Sequence, residues 1–439
     1  MPETTPENRA SDVLIVGGGL AGLSAAAYAA RAGASVTLFE KSTAPGGRGS
    51  TQERDGFLLN QGAHAFYRAG VGRQVLRNLG IDPPGGVPSP AGGFALARGV
   101  KHVFPGGFLS LLTTGLLSWV GKLEVARLLA SLPRLDTDAY ASESVADAVT
   151  KIAGREEVRE LLLALLRLSS YSNDPTRQSA GDALAQLKLA VAENVIYFDG
   201  GWQSLVTSLR QTAEAAGATV VSGHKVERIG AVGGRIEAHL AGGRVQRAGA
   251  VVLATSPRDA AAVIDGPATA TLTAWSNEAI PVLAACLDVC LERLPDPRAR
   301  FALGIDHPIY LSAHSAVAQL APKGRGLIQC MKYLGAEAPS DTSVARTELE
   351  AALDLMQPGW RELTIHQRYL PQMVVIHGLS TAAHGGAAGR PGPAVPGVDN
   401  VFVAGDWVGA EGMLADTSLA SGRRAGELAA SRRAATAAA

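Results

Sequence analysis

The chain has 439 residues, 47% of them hydrophobic and 18% charged, which is ample for a large folded core and excludes a disordered chain. Lys plus Arg and Asp plus Glu each total 40, so the net charge is zero and the basic footprint of a nucleic-acid-binding protein is missing. Three cysteines (Cys286, Cys290, Cys330) are too few and too odd in number for a disulfide framework, and none of the nine histidines has the helical spacing of a zinc site. The cysteines read as small core residues, and no metal is expected.

The residues up to Asp12 are polar and lack a charged-then-apolar signal pattern, which points to the cytoplasm. A buried strand is expected over 12–16, a helix of small residues over 21–32 and a second strand over 35–39, closed by Glu40. Gly33 is placed to end the helix, completing a β-α-β unit. Residues 85–107 are rich in Pro and Gly and mark the exit from this unit. The segment 108–195 reads as mostly helical: Leu109, Leu112, Leu116 and Trp119 keep helical spacing, as do Val158, Leu161, Leu162, Leu165 and Leu168. A helix over 202–216 precedes short strands at 219–221, 225–229 and 236–240, with Gly233-Gly234 and Gly242-Gly243 in hairpin-like turns, and a buried strand at 250–254. Strands at 282–291, 327–333 and 373–376 and a helix at 343–356 follow. A loop over 378–397, loaded with Gly, Ala and Pro, leads to a last strand at 400–404 and a closing helix.

One stretch, 103–121, carries no charge. Pro105-Gly106-Gly107 interrupts it, leaving about 13 helical residues against the roughly 20 that span a bilayer. A buried or amphipathic helix is expected, with an interfacial anchor as the alternative.

Gly17-x-Gly19-x-x-Gly22 follows a strand, opens a helix and has Glu40 about 20 residues on, which together make a dinucleotide site. Gly17 allows the tight turn, Gly19 the close approach of a pyrophosphate, and Gly22 close helix–strand packing. The helix N-terminus offers N–H groups and a positive dipole end to phosphate, and Glu40 can accept from ribose hydroxyls. Leu20, Ala21 and Lys41 join this candidate set. Pro45-Gly46-Gly47-Arg48 adds a second clamp, Gly47 for the turn and Arg48 for a diphosphate. A second Gly-x-Gly-x-x-Gly and a redox cysteine pair are both missing, so FAD is expected, with no NAD(P) domain.

The run Glu40-Lys41, Pro45-Gly46-Gly47-Arg48, Asp55-Gly56-Phe57 and Asn60-Gln61-Gly62-Ala63-His64 resembles the amine oxidase and phytoene desaturase superfamily of flavoproteins, and looks closest to its phytoene-dehydrogenase-related branch. Phe198-Asp199-Gly200-Gly201-Trp202 is similar to the family's Gly-Gly turn. Val401-Phe402-Val403-Ala404-Gly405-Asp406-Trp407, then Ser421-Gly422-Arg423-Arg424-Ala425, resembles its C-terminal flavin signature. The resemblance implies that Gly62, Ala63 and His64 lie against the flavin ring and that Val226 meets adenine through its backbone. Gly405 and Asp406 would lie at the ribityl chain or pyrophosphate, and Met413 and Leu414 would turn backbone N–H groups to the pyrimidine. Ala254, the last residue of its buried strand, completes the cofactor set.

Departures matter as much. The family's amine oxidases place a lysine near flavin N5 where this chain has Ala284 and Ala285, and a tyrosine roughly where Leu414 stands; Thr417 replaces a usual glycine. His64 reads either as a general base or as a packed histidine of the cofactor wall. Asp199 and Trp202 are expected to border the substrate cavity. Arg361, Arg368 and Lys332 either meet an acidic substrate group or sit solvated on the surface. The leucine-rich helices of 108–170 line an apolar tunnel or are plain core.

The expected fold is α/β, a Rossmann-like FAD-binding domain (10–84, 196–262 and 396–439) with a second, mixed α+β substrate domain (85–195 and 263–395). The expected function is an FAD-dependent oxidoreductase that dehydrogenates a hydrophobic small molecule by hydride transfer to flavin N5, reoxidised by oxygen, a quinone or another acceptor. An amine oxidase with an altered site, an isomerase using reduced flavin, and a non-catalytic FAD-binding protein are the alternatives. Peripheral membrane contact stays open.

Overall fold

Five short runs of β-branched and aliphatic residues pair in parallel to form the first sheet. In the computed structural model, which describes residues 10–89, 92–232, 235–335 and 342–437, their order is Thr219–Ser222, Val36–Glu40, Ser11–Val16, Val245–Leu253 and Val401–Val403. The near-continuous apolar character of 13–16 and 250–253 suits strands covered on both faces. Helices Leu20–Arg31, Trp202–Ala215 and Leu414–Ala437 cover one face. Val245–Leu253 also continues into an antiparallel meander with Arg235–Leu240 and Val226–Val232, and Pro257–Val263 and Ala268–Glu278 pack on that side. Gly242 and Gly243 form the expected turn, both at positive φ; Gly233-Gly234 lies outside the described residues.

The second sheet runs Thr364–Ile376, Val282–Leu291, Gly326–Leu334, Ile309–Ser312, Phe301–Gly304, Gly93–Ala97 and Val100–Val103. Helix Thr342–Met356 covers one face, and the helices between 108 and 193 pack against its far end. Two expectations need correction here. Residues 93–103 were read as a Pro- and Gly-rich exit, yet they form an antiparallel hairpin; short edge strands flanked by glycines carry little periodic signal. The strand expected at 373–376 is the end of the 13-residue strand Thr364–Ile376.

The uncharged stretch 103–121 also differs from expectation. It forms a short helix, Phe108–Thr113, then a break, and a second helix, Trp119–Ser131, whose N-cap Ser118 accepts from Gly121 N–H at 3.1 Å. Leu111 and Leu117 are buried, whereas Phe108, Leu109 and Trp119 are exposed. Among the described residues no helix is long and apolar enough to cross a membrane.

Candidate functional site

The three glycines of the loop differ in the room around them. Gly17 sits at φ +105°, and a Cβ there would come within 2.5 Å of Ala254 O. A Cβ on Gly22 would overlap the Gly17 carbonyl, whereas nothing lies within 4 Å of one on Gly19. The chain therefore closes tightly behind Gly19 and leaves open space in front of it. Helix Leu20–Arg31 has no side-chain cap and no acidic residue in its first turn, so its leading N–H groups face that space uncompensated. Gly47, at φ +53°, lies across it, with Gly19 Cα 3.9 Å from where its Cβ would be. An open cradle at a helix N-terminus fits the pyrophosphate of a dinucleotide.

Glu40 is buried beside the cradle. Its Oε2 accepts from Gly18 N–H at 2.6 Å and its Oε1 from Ser42 N–H at 2.8 Å. The carboxylate is thus fixed by its own backbone, with lone pairs left for a ribose. Lys41 is exposed. The turn 223–226 is tied to the same edge, since His224 N–H donates to Glu40 O and Gly223 N–H to Ser42 O, and this brings Val226 alongside. The glycine cradle, Glu40 and Val226 thus lie together beyond the same ends of the parallel strands.

Arg48 and Asp406, two candidate cofactor contacts from opposite ends of the chain, meet. Arg48 Nη1 donates to Asp406 Oδ2 at 2.7 Å and to Val375 O at 2.6 Å, and His377 Nδ1 lies 3.1 Å from Asp406 Oδ1. Burial alone would raise the Asp406 carboxyl, but Arg48 and His377 hold it well below the usual carboxylate range. Arg48 keeps 36% of its side-chain surface, so part of the guanidinium still faces outward. Gly405 is closed in by Ser421, whose hydroxyl accepts from Gly405 N–H at 3.0 Å.

The segment Gly62-Ala63-His64 packs against the second sheet. Gly62 has φ +83°, and a Cβ would fall 2.6 Å from Met373 Cε and 2.9 Å from Cys286 Sγ. Gly62 O accepts from Gln329 Nε2 at 3.0 Å and lies 3.1 Å from His64 Nδ1. Burial lowers the His64 pKa to about 4, so the ring is neutral at pH 7; its centroid lies 4.8 Å from that of Trp202. Beneath the segment, buried Asp288 pairs with Arg368, which also donates to Asn60 O and so braces the loop. Arg368 is therefore neither a surface cation nor free for a substrate. Lys332 pairs with Glu348, and Arg361 with Asp354 and Glu350. Asp199 accepts from Gln319 N–H at 2.7 Å, and Trp202 packs with Phe66 and Phe198.

Ala63 and Leu414 belong to one apolar cluster with Tyr171, Ala284, Cys286, Tyr310, Met331 and Tyr333. The three tyrosines were not singled out in the sequence, where they lie 23 to 162 positions apart and share no motif. Tyr171 and Tyr333 meet edge to face, centroids 6.2 Å apart, and Tyr333 Oη is buried with no hydrogen-bond partner among the described residues. Tyr171 caps helix Glu156–Ser170 in the left-handed region, at φ +61°. A non-glycine residue there is uncommon, and the buried contacts must over-determine it. The cysteines are core residues: all three are buried, and burial pushes the Cys286 thiol up to about 12.

Leu414 starts the closing helix at φ +57° and Met413 is buried beside it. The turn before them is held by Arg390, which the sequence reading did not single out in the loop 378–397. Its guanidinium donates to Gly409 O, Gly412 O, Ser380 Oγ and Thr417 Oγ1, so Thr417 has a defined partner. Among the described residues no group of His, Cys, Asp and Glu is placed to hold a metal ion.

Comparison with known proteins places the chain. The family described as flavin containing amine oxidoreductase matches residues 20–285. The carotenoid 3,4-desaturase of Haloarcula japonica is 44% identical over 72 residues, 16% of this chain and 14% of that protein. The coproporphyrinogen III oxidase of Propionibacterium freudenreichii subsp. freudenreichii is 34% identical over 131 residues, 27% of this chain and 24% of that protein. The matches thus span about a seventh and about a quarter of these relatives. Among solved structures, a putrescine oxidase double variant superposes with a TM-score of 0.74 at 18% identity, covering 97% of this chain and 99% of that one.

Proposed function

We propose a function that proceeds from membership: this chain belongs to the flavin containing amine oxidoreductases and is an FAD-dependent oxidoreductase. Its substrate is a hydrophobic small molecule, which it dehydrogenates to leave a new double bond. When bound, FAD would supply the redox chemistry by accepting a hydride at N5, and the second hydrogen would leave as a proton to water. Oxygen, a quinone or another diffusible molecule would be the final electron acceptor.

The observation that carries this reading is the lining beside Gly62-Ala63-His64. Ala284, Cys286, Met331 and Met373 occupy it, and the family resemblance implies that Ala284 and Ala285 stand in for the lysine of the amine oxidases. The nearby ionic groups, Asp288 and Arg368, are engaged with each other, Gln329 and Asn60. The protein's work is then to bind, orient and exclude water. Gly17, Gly19, Leu20, Ala21 and Gly22 hold the pyrophosphate with Gly47 and Arg48, while Glu40, Lys41, Val226 and Ala254 hold the adenosine. Gly405 and Asp406 take the ribityl side, and Met413 and Leu414 turn N–H groups to the pyrimidine. His64 serves as a buttress: with its pKa near 4, a proton taken at pH 7 would be weakly held. Peripheral contact with a lipid surface belongs to the same reading, because an apolar substrate partitions into bilayers. The match to a carotenoid desaturase supports desaturation, though over 16% of this chain only.

A second reading, amine oxidation, has one observation in its favour: Tyr171 and Tyr333 meet edge to face in the cluster that contains Ala63 and Leu414. The deciding experiment is anaerobic mixing of the flavin-loaded protein with polyenes, other apolar lipids and amines. Bleaching by apolar molecules supports dehydrogenation. Bleaching by amines alone, with peroxide release in air, overturns it. Flavin that stays oxidised with every candidate marks a non-catalytic binding protein.

A further inference from the structure

We propose that helices Phe108–Thr113 and Trp119–Ser131, with strand Val100–Val103, form a face that docks in the plane of an anionic lipid bilayer. Phe108 is 77% exposed, Leu109 75%, Trp119 70% and Leu123 58%. Among the described residues every exposed Leu, Phe and Trp lies between 108 and 123; the other exposed large hydrophobics are valines. One patch thus collects the side chains that water disfavours most, the mark of an interaction surface.

The three elements are joined. Lys122 Nζ donates to Leu112 O at 2.8 Å, linking the helices, and Thr114 Oγ1 donates to Val103 O at 2.6 Å, linking helix and strand. The opposite sides of the same elements are buried: Leu111, Leu117 and Val125 pack with Phe104. The exposed side chains are therefore displayed by an anchored scaffold.

Charge selects the occupant. Residues 100–134 contain four cations (Lys101, Lys122, Arg127 and Arg134) and one acid, Glu124, in a chain whose net charge is zero. The Glu124 carboxylate accepts from Gly154 N–H at 2.6 Å, and neighbouring Glu157 is turned onto Ser118. None of the four cations forms an ion pair among the described residues. Lys122 lies 4.6 Å above the Trp119 ring, a cation and an indole presented together. Apolar side chains rimmed by unpaired cations match anionic headgroups over an acyl interior, whereas a second copy of this face would bring like charges together.

The face also leads inward. Leu168 and Phe301 pack both against the cluster beneath it and against the cluster containing Ala63, Tyr171 and Leu414, so apolar side chains run without a break from the surface to the proposed flavin wall. Docking rests on exposure and charge; use of this route by substrate rests on the proposed dehydrogenation of an apolar molecule.

The test is co-sedimentation of the flavin-loaded protein with vesicles of phosphatidylcholine, alone or with about a third phosphatidylglycerol. Binding is expected to the mixed vesicles, weakened by salt. The triple variant Phe108→Ser, Leu109→Ser, Trp119→Ser should lose affinity at least about tenfold while keeping its flavin and its melting temperature. Lys101→Gln with Lys122→Gln should abolish the preference for phosphatidylglycerol. Failure of wild type to sediment with either vesicle overturns the proposal, and so does a lipid-free dimer that the triple variant converts to monomer. Bleaching by apolar molecules in detergent micelles, without vesicle binding, would overturn docking alone and leave the chemistry standing.

Discussion

Arg48 and Asp406, 358 positions apart, form an ion pair at 2.7 Å that ties the loop after the second strand to the end of the last one. Asp406→Asn removes the charge that Arg48 and His377 face. Asp406 is buried but Arg48 keeps 36% of its side-chain surface, so solvent screens the pair and breaking it costs about 1–2 kcal/mol. Lower urea midpoints and reduced flavin content per chain are expected. The folded pKa of Asp406 is depressed, so its contribution is present above the unfolded value of about 3.9 and is lost as pH falls further towards the folded pKa. Wild type should therefore destabilise more steeply than the variant below about pH 4; parallel profiles would contradict the pairing.

Gly19 and Gly22 differ in what surrounds them, and their variants should differ accordingly. Gly22→Ala meets the Gly17 carbonyl and should destabilise the fold by ~2–3 kcal/mol. Gly19→Leu enters open space, so the stability of the flavin-free protein should hold within ~0.5 kcal/mol. FAD affinity should nevertheless drop at least about tenfold, because the side chain fills the cradle. Tight flavin binding by the Gly19 variant would remove the pyrophosphate from this loop.

Asp416 predicts the opposite pH dependence. Its Oδ1 accepts from Gly72 N–H at 3.1 Å, Oδ2 is buried without a partner among the described residues, and burial pushes the carboxyl up to about 7. The folded state keeps the proton where the unfolded chain, with a pKa of about 3.9, releases it. Stability should thus decline as pH rises from about 4 to 7 and level off above, by ~2–4 kcal/mol. Asp416→Asn keeps an acceptor for Gly72 and should flatten that slope in thermal melts; an unchanged slope would refute the assignment.

Tyr333→Phe deletes a buried hydroxyl that has no partner among the described residues. Stability should stay level or rise by ~1 kcal/mol. If that hydroxyl meets substrate, KM should rise several-fold with kcat little changed, whereas a purely structural ring leaves both as they were. Tyr171→Phe serves as the control, keeping the edge-to-face contact.

What could be read in the chain was local. The strand, glycine turn, helix and closing Glu40 lie within some thirty positions, and each requirement concerns backbone room or a helix end that neighbouring residues supply. FAD followed from the same kind of evidence, and the family match agrees. Asp288 and Arg390 were illegible as structural residues: a carboxylate in an apolar strand and an arginine in a glycine-rich loop declare their roles only with their partners. The edge hairpin 93–103 was lost because short strands carry too few alternations.

Sequence alone therefore determined the cofactor and the parallel half of the fold, because both depend on contacts between near neighbours. Only the tertiary structure decided that Arg48 answers Asp406, that Tyr171, Tyr310 and Tyr333 gather beside Ala63, and that Phe108, Leu109, Trp119 and Leu123 stay exposed. Helical spacing states which residues share a face. What packs against that face is decided by the return of distant strands, and hydrophobic periodicity holds no record of it.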